Sequence, residues 1–309
     1  MNHLSLADIH CDTAYELYMN SQSFYGSSLA VSAKKTSRYE KYLQVAAIFS
    51  DNSLDNNAAY EQFFKIAEYF KKDISGCPDS AIIDGEYITE AKNFFILSVE
   101  DARILDGKLE RLKRLYNEGV RILTPLWRGE TCIGGSFDTD AGLTDFGKDV
   151  IRKCIELGIV PDISHASIKS ADDIFDISSG SSPVIASHSS SYTIFEHPRN
   201  LTDSQFCSVR ESGGLVGVNL YTEALGLDAR SDGIPTILEH IEHYLSLGGE
   251  DCVCFGCDFD GAQTPKDIPD VSYIYLFADE MSKLNYSESL IKKIFYENVN
   301  NFILKNIMK

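Results

Sequence analysis

The residues of this chain best suited to metal-assisted chemistry are imidazoles and carboxylates that close or follow short apolar runs. LADIH (6–10) ends in His10, followed by Cys11 and Asp12. FFILSVE (94–100) ends in Glu100, and CVCFGCD (252–258) ends in Asp258. IVPDIS (159–164) is followed by His165, and PVIAS (183–187) by His188. Only seven histidines exist, at 3, 10, 165, 188, 197, 240 and 243, and three of them hold such places. Taken singly, each is as readily a satisfied buried group or a turn residue; their joint placement points to a site. Side chains alternate along a strand, so His10 and Asp12 point the same way. Imidazole with carboxylate suits Zn²⁺ and similar divalent ions. Three histidines and two or three carboxylates exceed what one catalytic zinc needs. Two ions sharing a carboxylate, typically about 3.5–4 Å apart, would use them all. A hydroxide bridging such ions forms near neutral pH and can attack a carbonyl carbon. An uncoordinated carboxylate after the last run would then carry a proton to the leaving group.

The elements that must position these groups follow a simple pattern. Apolar runs at 6–10, 42–50, 94–100, 120–127, 159–164, 183–187, 215–221 and 252–258 alternate with stretches of helical period, such as 61–72 and 146–158. The runs are almost continuously hydrophobic, as parallel strands covered on both faces are. Eight strand–helix units predict an α/β fold, a (β/α)₈ barrel of the TIM type with C-terminal helices, forming one domain over residues 1–309. An open dinucleotide-binding sheet would show G-x-G-x-x-G after its first strand, where this chain reads HCDTAYEL. In such a barrel chemistry gathers at the C-terminal ends of the strands, where these residues fall. Local signals mark helix ends. Thr144 caps a helix that Gly158 stops, Thr202 and Gln205 form a capping box, and a further helix is predicted over 234–247.

Composition narrows the partners. With 309 residues and 44% hydrophobic content the chain can bury a large core without disulfides. Lys and Arg total 28 against 46 Asp and Glu, a net charge of −18 that repels nucleic acid phosphates and anionic membranes. A small-molecule substrate is the expected partner. No secretory leader pattern and no window of roughly 20 apolar residues is present. The eight cysteines lie mostly inside apolar runs without paired regularity, which predicts a reduced, cytoplasmic chain. Cys252-x-Cys254-x-x-Cys257 resembles half a zinc knuckle but reads better as a buried strand. His240 and His243 read as the solvated face of an acidic helix, His197 as a loop or helix-entry residue, and Asp260 as a turn residue. Gly134-Gly135 reads as a loop pair near the pocket.

The ordered set of motifs carries a family resemblance. From residue 7 to about 305 the sequence resembles the membrane (renal) dipeptidase family, zinc peptidases on an amidohydrolase-type barrel. The segments concerned are His10-Cys11-Asp12, SVEDARIL with Glu100, 142–167 with His165, 183–206 with His188, 213–221 and 255–272. The resemblance implies two zinc ions, or other divalent ions, per chain. His10, Asp12 and Glu100 would bind one, and Glu100, His165 and His188 the other. It implies that Arg199 in HPRN holds the substrate's terminal carboxylate, a task suited to a planar guanidinium. Asp258 would protonate the departing amine, Tyr221 at the end of LVGVNLY would contact substrate, and a homodimer is implied. One departure stands out. Where the family often reads T-x-T-H, this chain has Thr124-Pro125-Leu126-Trp127. Trp127 donates one hydrogen bond but carries no charge, and loss of a charged oxyanion donor costs about 10²–10³ in rate. Trp127 either shapes the pocket for another substrate or packs at the rim. The expected function is therefore a binuclear zinc dipeptidase acting through a metal-bridging hydroxide. The alternatives are a related zinc amidohydrolase acting on another amide or lactam, and a non-catalytic metal-binding scaffold.

Overall fold

The computed structural model of the chain describes residues 4–85, 90–228 and 230–308. Within them eight strands form: β1 (Leu6–Cys11), β2 (Tyr42–Phe49), β3 (Ser80–Ile82), β4 (Asn93–Glu100), β5 (Val120–Thr124), β6 (Val160–Pro161), β7 (Val216–Val218) and β8 (Val253–Phe255). Every pairing between them is parallel, and the sheet runs β6-β5-β4-β2-β1-β8-β7. The apolar runs explain this arrangement. β1 and β4 are buried at every position, as parallel strands with helices against them must be. The result is an α/β fold whose parallel sheet curves as a part-barrel under its helices.

Two strand expectations need correction. Residues 183–187 do not form a strand, although isolated parallel bridges join Asp162 to Ile185 and Ala186 to Val216. Side chains there take over ladder positions: Val184 N–H donates to Ser212 Oγ at 3.0 Å and Ser187 N–H to Asp162 Oδ1 at 2.9 Å. Pro183 has no N–H to give. The unanticipated strand is β3, three residues long, which pairs with the first part of β4. It lacks the length that makes an apolar run visible in sequence.

Helix ends follow their chemical signals. Thr144 accepts from Gly147 N–H at the start of helix Asp145–Leu157, and Gly158 ends it at φ 77°. Thr202 and Gln205 form the reciprocal capping box of helix Asp203–Glu211. The helix predicted over 234–247 spans Ile234–Ser246. At the far end of the chain, Val299, Phe302 and Ile303 of helix Asn298–Asn306 cluster with Ala7, Leu43 and Phe94 near the strand starts. That helix therefore packs at the end of the sheet away from His10 and Glu100, leaving the strand C-terminal ends to the site.

Candidate active site

The ends of β1 and β4 and the segments carrying Asp12, His165, His188 and Asp258 converge. Glu100 is the last residue of β4, in register with Phe49 of β2 and Thr124 of β5. Its Oε2 lies 3.6 Å from His10 Nε2, whereas its Oε1 lies 3.0 Å from His165 Nε2 and 3.6 Å from His188 Nε2. One carboxylate thus faces an imidazole on one side and a pair of imidazoles on the other. His10 Nε2 is also 3.7 Å from Asp12 Oδ2 and 3.8 Å from Asp258 Oδ1. The potential ligand atoms form two overlapping sets, His10–Glu100–His188 and His10–Asp12–Asp258, each within 4.8 Å. His165 (φ 67°) and Asp258 (φ 59°) hold left-handed backbone conformations, which L residues keep only where surrounding contacts fix them. Phe137 N–H bonds to the His165 carbonyl at 2.8 Å, and Asp258 N–H to the His10 carbonyl at 3.1 Å.

The ring tautomers are set by hydrogen bonds behind the site. Asp162 is fully buried and accepts from Thr124 Oγ1 at 2.6 Å, from the Ser164 and Ser187 N–H groups at 2.9 Å each, and from Ser187 Oγ at 2.5 Å. The single Ser187 hydroxyl proton goes to Asp162, so its oxygen accepts from His188 Nδ1 at 2.7 Å. His165 Nδ1 donates to the Trp127 carbonyl at 3.0 Å. Both rings are left with a bare Nε2, and these two atoms stand 2.8 Å apart. Facing lone pairs at that distance repel, and a shared cation removes the repulsion. His10 Nε2 and Asp12 Oδ1 are buried without a hydrogen-bond partner, which a bound ion would also relieve. The donor set therefore fits divalent metal ions.

Electrostatics agree. Burial, reinforced by the charge of Glu100, pushes Asp12 up to about 7. Burial opposes ionisation of Glu100, but the neighbouring charge of His10 outweighs it and holds the carboxyl well below its usual range. Burial would depress His10, yet Glu100 and Asp12 together raise it well above an ordinary imidazole. Burial, then the charges of His10 and Arg199, holds His188 well below the usual range. The carboxyl groups of Asp12, Glu100 and Asp258 all crowd within 3.8 Å of His10 Nε2, an arrangement that favours a cation among them.

Above it opens a cavity of about 520 Å³ lined by Asp12, Glu100, Trp127, His165, Arg199, Tyr221 and Asp258 among others. His10 and His188 lie behind this wall, each 1% exposed. Arg199 is buried, donates from Nη2 to the His188 carbonyl at 3.3 Å, and lies 5.6 Å above the Phe137 ring. Burial lowers its pKa while the charge of Asp258 opposes that shift. Asn219 Nδ2 bonds to Asp258 Oδ2 at 3.4 Å, and Asn219 Oδ1 accepts from Tyr221 N–H at 2.8 Å. The Tyr221 hydroxyl donates to the Glu223 carboxylate. A Cβ at Gly261 would stand 1.9 Å from Asp12 Oδ2 and 2.9 Å from Asp258 Oδ1, so only glycine leaves these carboxylates their space.

A sequence model of the membrane dipeptidase family, peptidase family M19, matches residues 1–305. The chain belongs to the membrane dipeptidase family. As a member it is a metal-dependent dipeptidase. An uncharacterised protein from the pqqA 5′ region of Klebsiella pneumoniae is 34% identical over 223 residues, 69% of this chain and 81% of that protein. An uncharacterised dipeptidase of Schizosaccharomyces pombe is 33% identical over 235 residues, 72% of this chain and 55% of its own greater length. A Rhodobacter sphaeroides metallopeptidase, solved with a phosphinate mimic of the dipeptide L-Ala-D-Ala, shares the fold. Its TM-score is 0.89 at 23% identity, over 98% of this chain and 99% of that one.

Several features of this family member differ from expectation or escaped it. His240 is not on a solvated face. It is fully buried and accepts the Ser191 N–H at Nδ1, 3.0 Å away. The helix buries Ile237, Ile241 and Tyr244, and position 240 falls on that inward stripe. His243 pairs with Asp203 at 2.8 Å. His197 lines the cavity and accepts the Arg199 N–H at Nδ1, 3.3 Å away. Gly134 and Gly135 pack on residues 139–143, where Cβ atoms would collide with Thr139, Ala141 and Leu143; they are not among the cavity residues. Asp260 accepts from Thr13 Oγ1 and Ala30 N–H, both at 2.6 Å, tying its own turn to the start of helix Thr13–Met19 and to the loop at residue 30. Cys252, Cys254 and Cys257 are buried, and among the described residues they join no cluster of metal-ligand spacing. Sequence reading also missed the orienting pair Asp162 and Ser187. Its signal was present, since Asp162 precedes Ser164 and His165 in IVPDIS and Ser187 adjoins His188.

Proposed function

We propose that this enzyme hydrolyses the peptide bond of dipeptides with two zinc ions held by His10, Asp12, Glu100, His165 and His188. The observation that carries this reading is the division of Glu100, one oxygen toward His10 and the other toward the His165–His188 pair. The scaffold is a closed (β/α)₈ barrel of one domain, with residues 183–187 as its remaining stave; the bridges at Ile185 and Ala186 support that closure. Eight unpaired cysteines support a cytoplasmic location. The ions would supply a hydroxide at neutral pH and Lewis acidity at the scissile carbonyl.

The side chains do the rest. Arg199, pinned by the His188 carbonyl, pairs with the substrate's terminal carboxylate. Tyr221 lines the same side of the cavity and contacts the substrate there. Burial, together with the charge of Glu100, raises Asp258 above an ordinary carboxyl although His10 opposes this, which suits it to carry a proton. Water adds across the amide, the acyl half leaves as carboxylate, and Asp258 delivers the proton to the departing nitrogen. Trp127, at the cavity wall, supports a second reading in which the same centre cleaves another amide or a lactam.

Metal quantification with chelation and zinc reconstitution, scored on dipeptides beside N-acyl amino acids and β-lactams, separates these readings. Dipeptide turnover that disappears on chelation and returns with about two zinc ions per chain is expected. No dipeptide turnover with brisk deacylation would favour the second reading, and no turnover of any amide a scaffold. Asp258→Asn should lose turnover while retaining its metal; full activity would refute the proton-carrier role.

A further inference from the structure

The cavity is polar on one side and aromatic on the other. Arg199 and Tyr221 belong to the segments around residues 185–186 and β7. In the sheet order, the run β5-β4-β2-β1 lies on the opposite flank. That flank supplies Phe49 from the end of β2, Tyr15 from the helix after β1, and Trp127 from the loop after β5. The three rings form one surface. Phe49 meets Trp127 edge to face at 5.0 Å between centroids and Tyr15 at 5.9 Å. Each partner is held from behind: the Trp127 carbonyl is bonded by His165 Nδ1, and the Tyr15 hydroxyl donates to Asp51 at 3.2 Å. None of these rings has a place in the hydrolytic steps described above, although all three line the cavity.

Resting on the dipeptidase reading, we infer that Tyr15, Phe49 and Trp127 form the subsite for the side chain of the substrate's N-terminal residue and select a bulky, aromatic one. The direction follows from charge. Arg199 takes the carboxylate end, and the metal ligands around Glu100 mark the scissile carbonyl. The N-terminal residue must then extend toward β1 and β2. There Glu16 offers a carboxylate for its ammonium group, and the three rings receive its side chain. Offset and edge-on aromatic contacts favour a ring there over a methyl group.

The test compares Phe-Ala, Ala-Phe and Ala-Ala as substrates of the zinc-loaded enzyme. Phe-Ala should exceed both others in kcat/KM by about 10–100-fold, carried mainly by KM. Phe49→Ala should reduce the ratio of Phe-Ala to Ala-Ala by roughly tenfold, a readout independent of absolute activity. Trp127 is the only tryptophan of the chain, so its fluorescence reports on the subsite without turnover. A phosphinate analogue of Phe-Ala should shift its emission, and the Ala-Ala analogue should shift it less. If Ala-Ala or Ala-Phe is cleaved as well as Phe-Ala, or the two analogues act alike on Trp127, the subsite assignment is overturned while the dipeptidase reading stands. If no dipeptide is cleaved at full metal loading, the dipeptidase reading fails and this inference with it.

Discussion

Ser187→Ala tests whether this chain prepares its histidines for metal before any metal arrives. The Ser187 hydroxyl lies 2.5 Å from Asp162 Oδ2 and 2.7 Å from His188 Nδ1. Removing it does not strand Asp162, which keeps Thr124 Oγ1 and two backbone N–H donors. It does strand His188 Nδ1, on a ring that is 1% exposed. A buried N–H left without an acceptor costs about 1–3 kcal/mol. The ring can avoid that cost by moving its proton to Nε2, the atom a metal needs bare. Loss of such an orienting partner typically weakens metal binding 10–100-fold, or roughly 1.4–2.7 kcal/mol at 1.36 kcal/mol per factor of ten. The two routes give the same magnitude. Titration of the apoprotein with zinc against a chromophoric chelator measures the affinity, and circular dichroism with thermal unfolding checks the fold. A zinc affinity within about threefold of the parent in a folded variant would show that Ser187 does not set the His188 tautomer.

Two further outcomes follow from the geometry. Gly261→Ala places a Cβ 1.9 Å from Asp12 Oδ2, so the carboxylate must turn away; the variant should fold normally and bind fewer ions, and full metal content by elemental analysis would contradict the close approach. Burial, aided by the charge of His243, holds His240 down to about 4. An unfolded histidine titrates near 6.5, so between about 6.5 and 4 the unfolded chain binds more protons and stability falls with acid, by up to about 3 kcal/mol. His240→Asn keeps an acceptor for the Ser191 N–H and removes that titration. Its urea unfolding free energy should drop less between pH 7 and 4.5 than the parent's, and equal slopes would refute the assignment.

The first-order features of the site were legible in sequence because a parallel strand is a compact signal. A short, continuously apolar run ends abruptly, and the first polar side chain beyond it has to face the C-terminal end of the sheet. His10, Asp12, Glu100, His165, His188 and Asp258 all close or closely follow such runs, and separate capping signals mark Thr144, Thr202 and Gly158. Where hydrogen bonds departed from regular ladders, the reading faltered. Residues 183–187 are apolar enough for a strand, yet Ser212 and Asp162 claim their N–H groups. The charged residues around His240 mark a solvated face, yet position 240 shares the inward stripe of Ile237, Ile241 and Tyr244.

Tertiary structure alone decided what distance and direction decide. That Glu100 splits its oxygens between His10 and the His165–His188 pair depends on register between β2, β4 and β5, and no spacing in the chain encodes it. The same holds for the Asp162–Ser187–His188 relay and for the meeting of Tyr15, Phe49 and Trp127, which come from three different strand ends. Residue type fixes which chemistry is available to a chain. Only folding brings distant positions within hydrogen-bond reach, because tautomers, charge balance and cavity walls exist only between groups already held together.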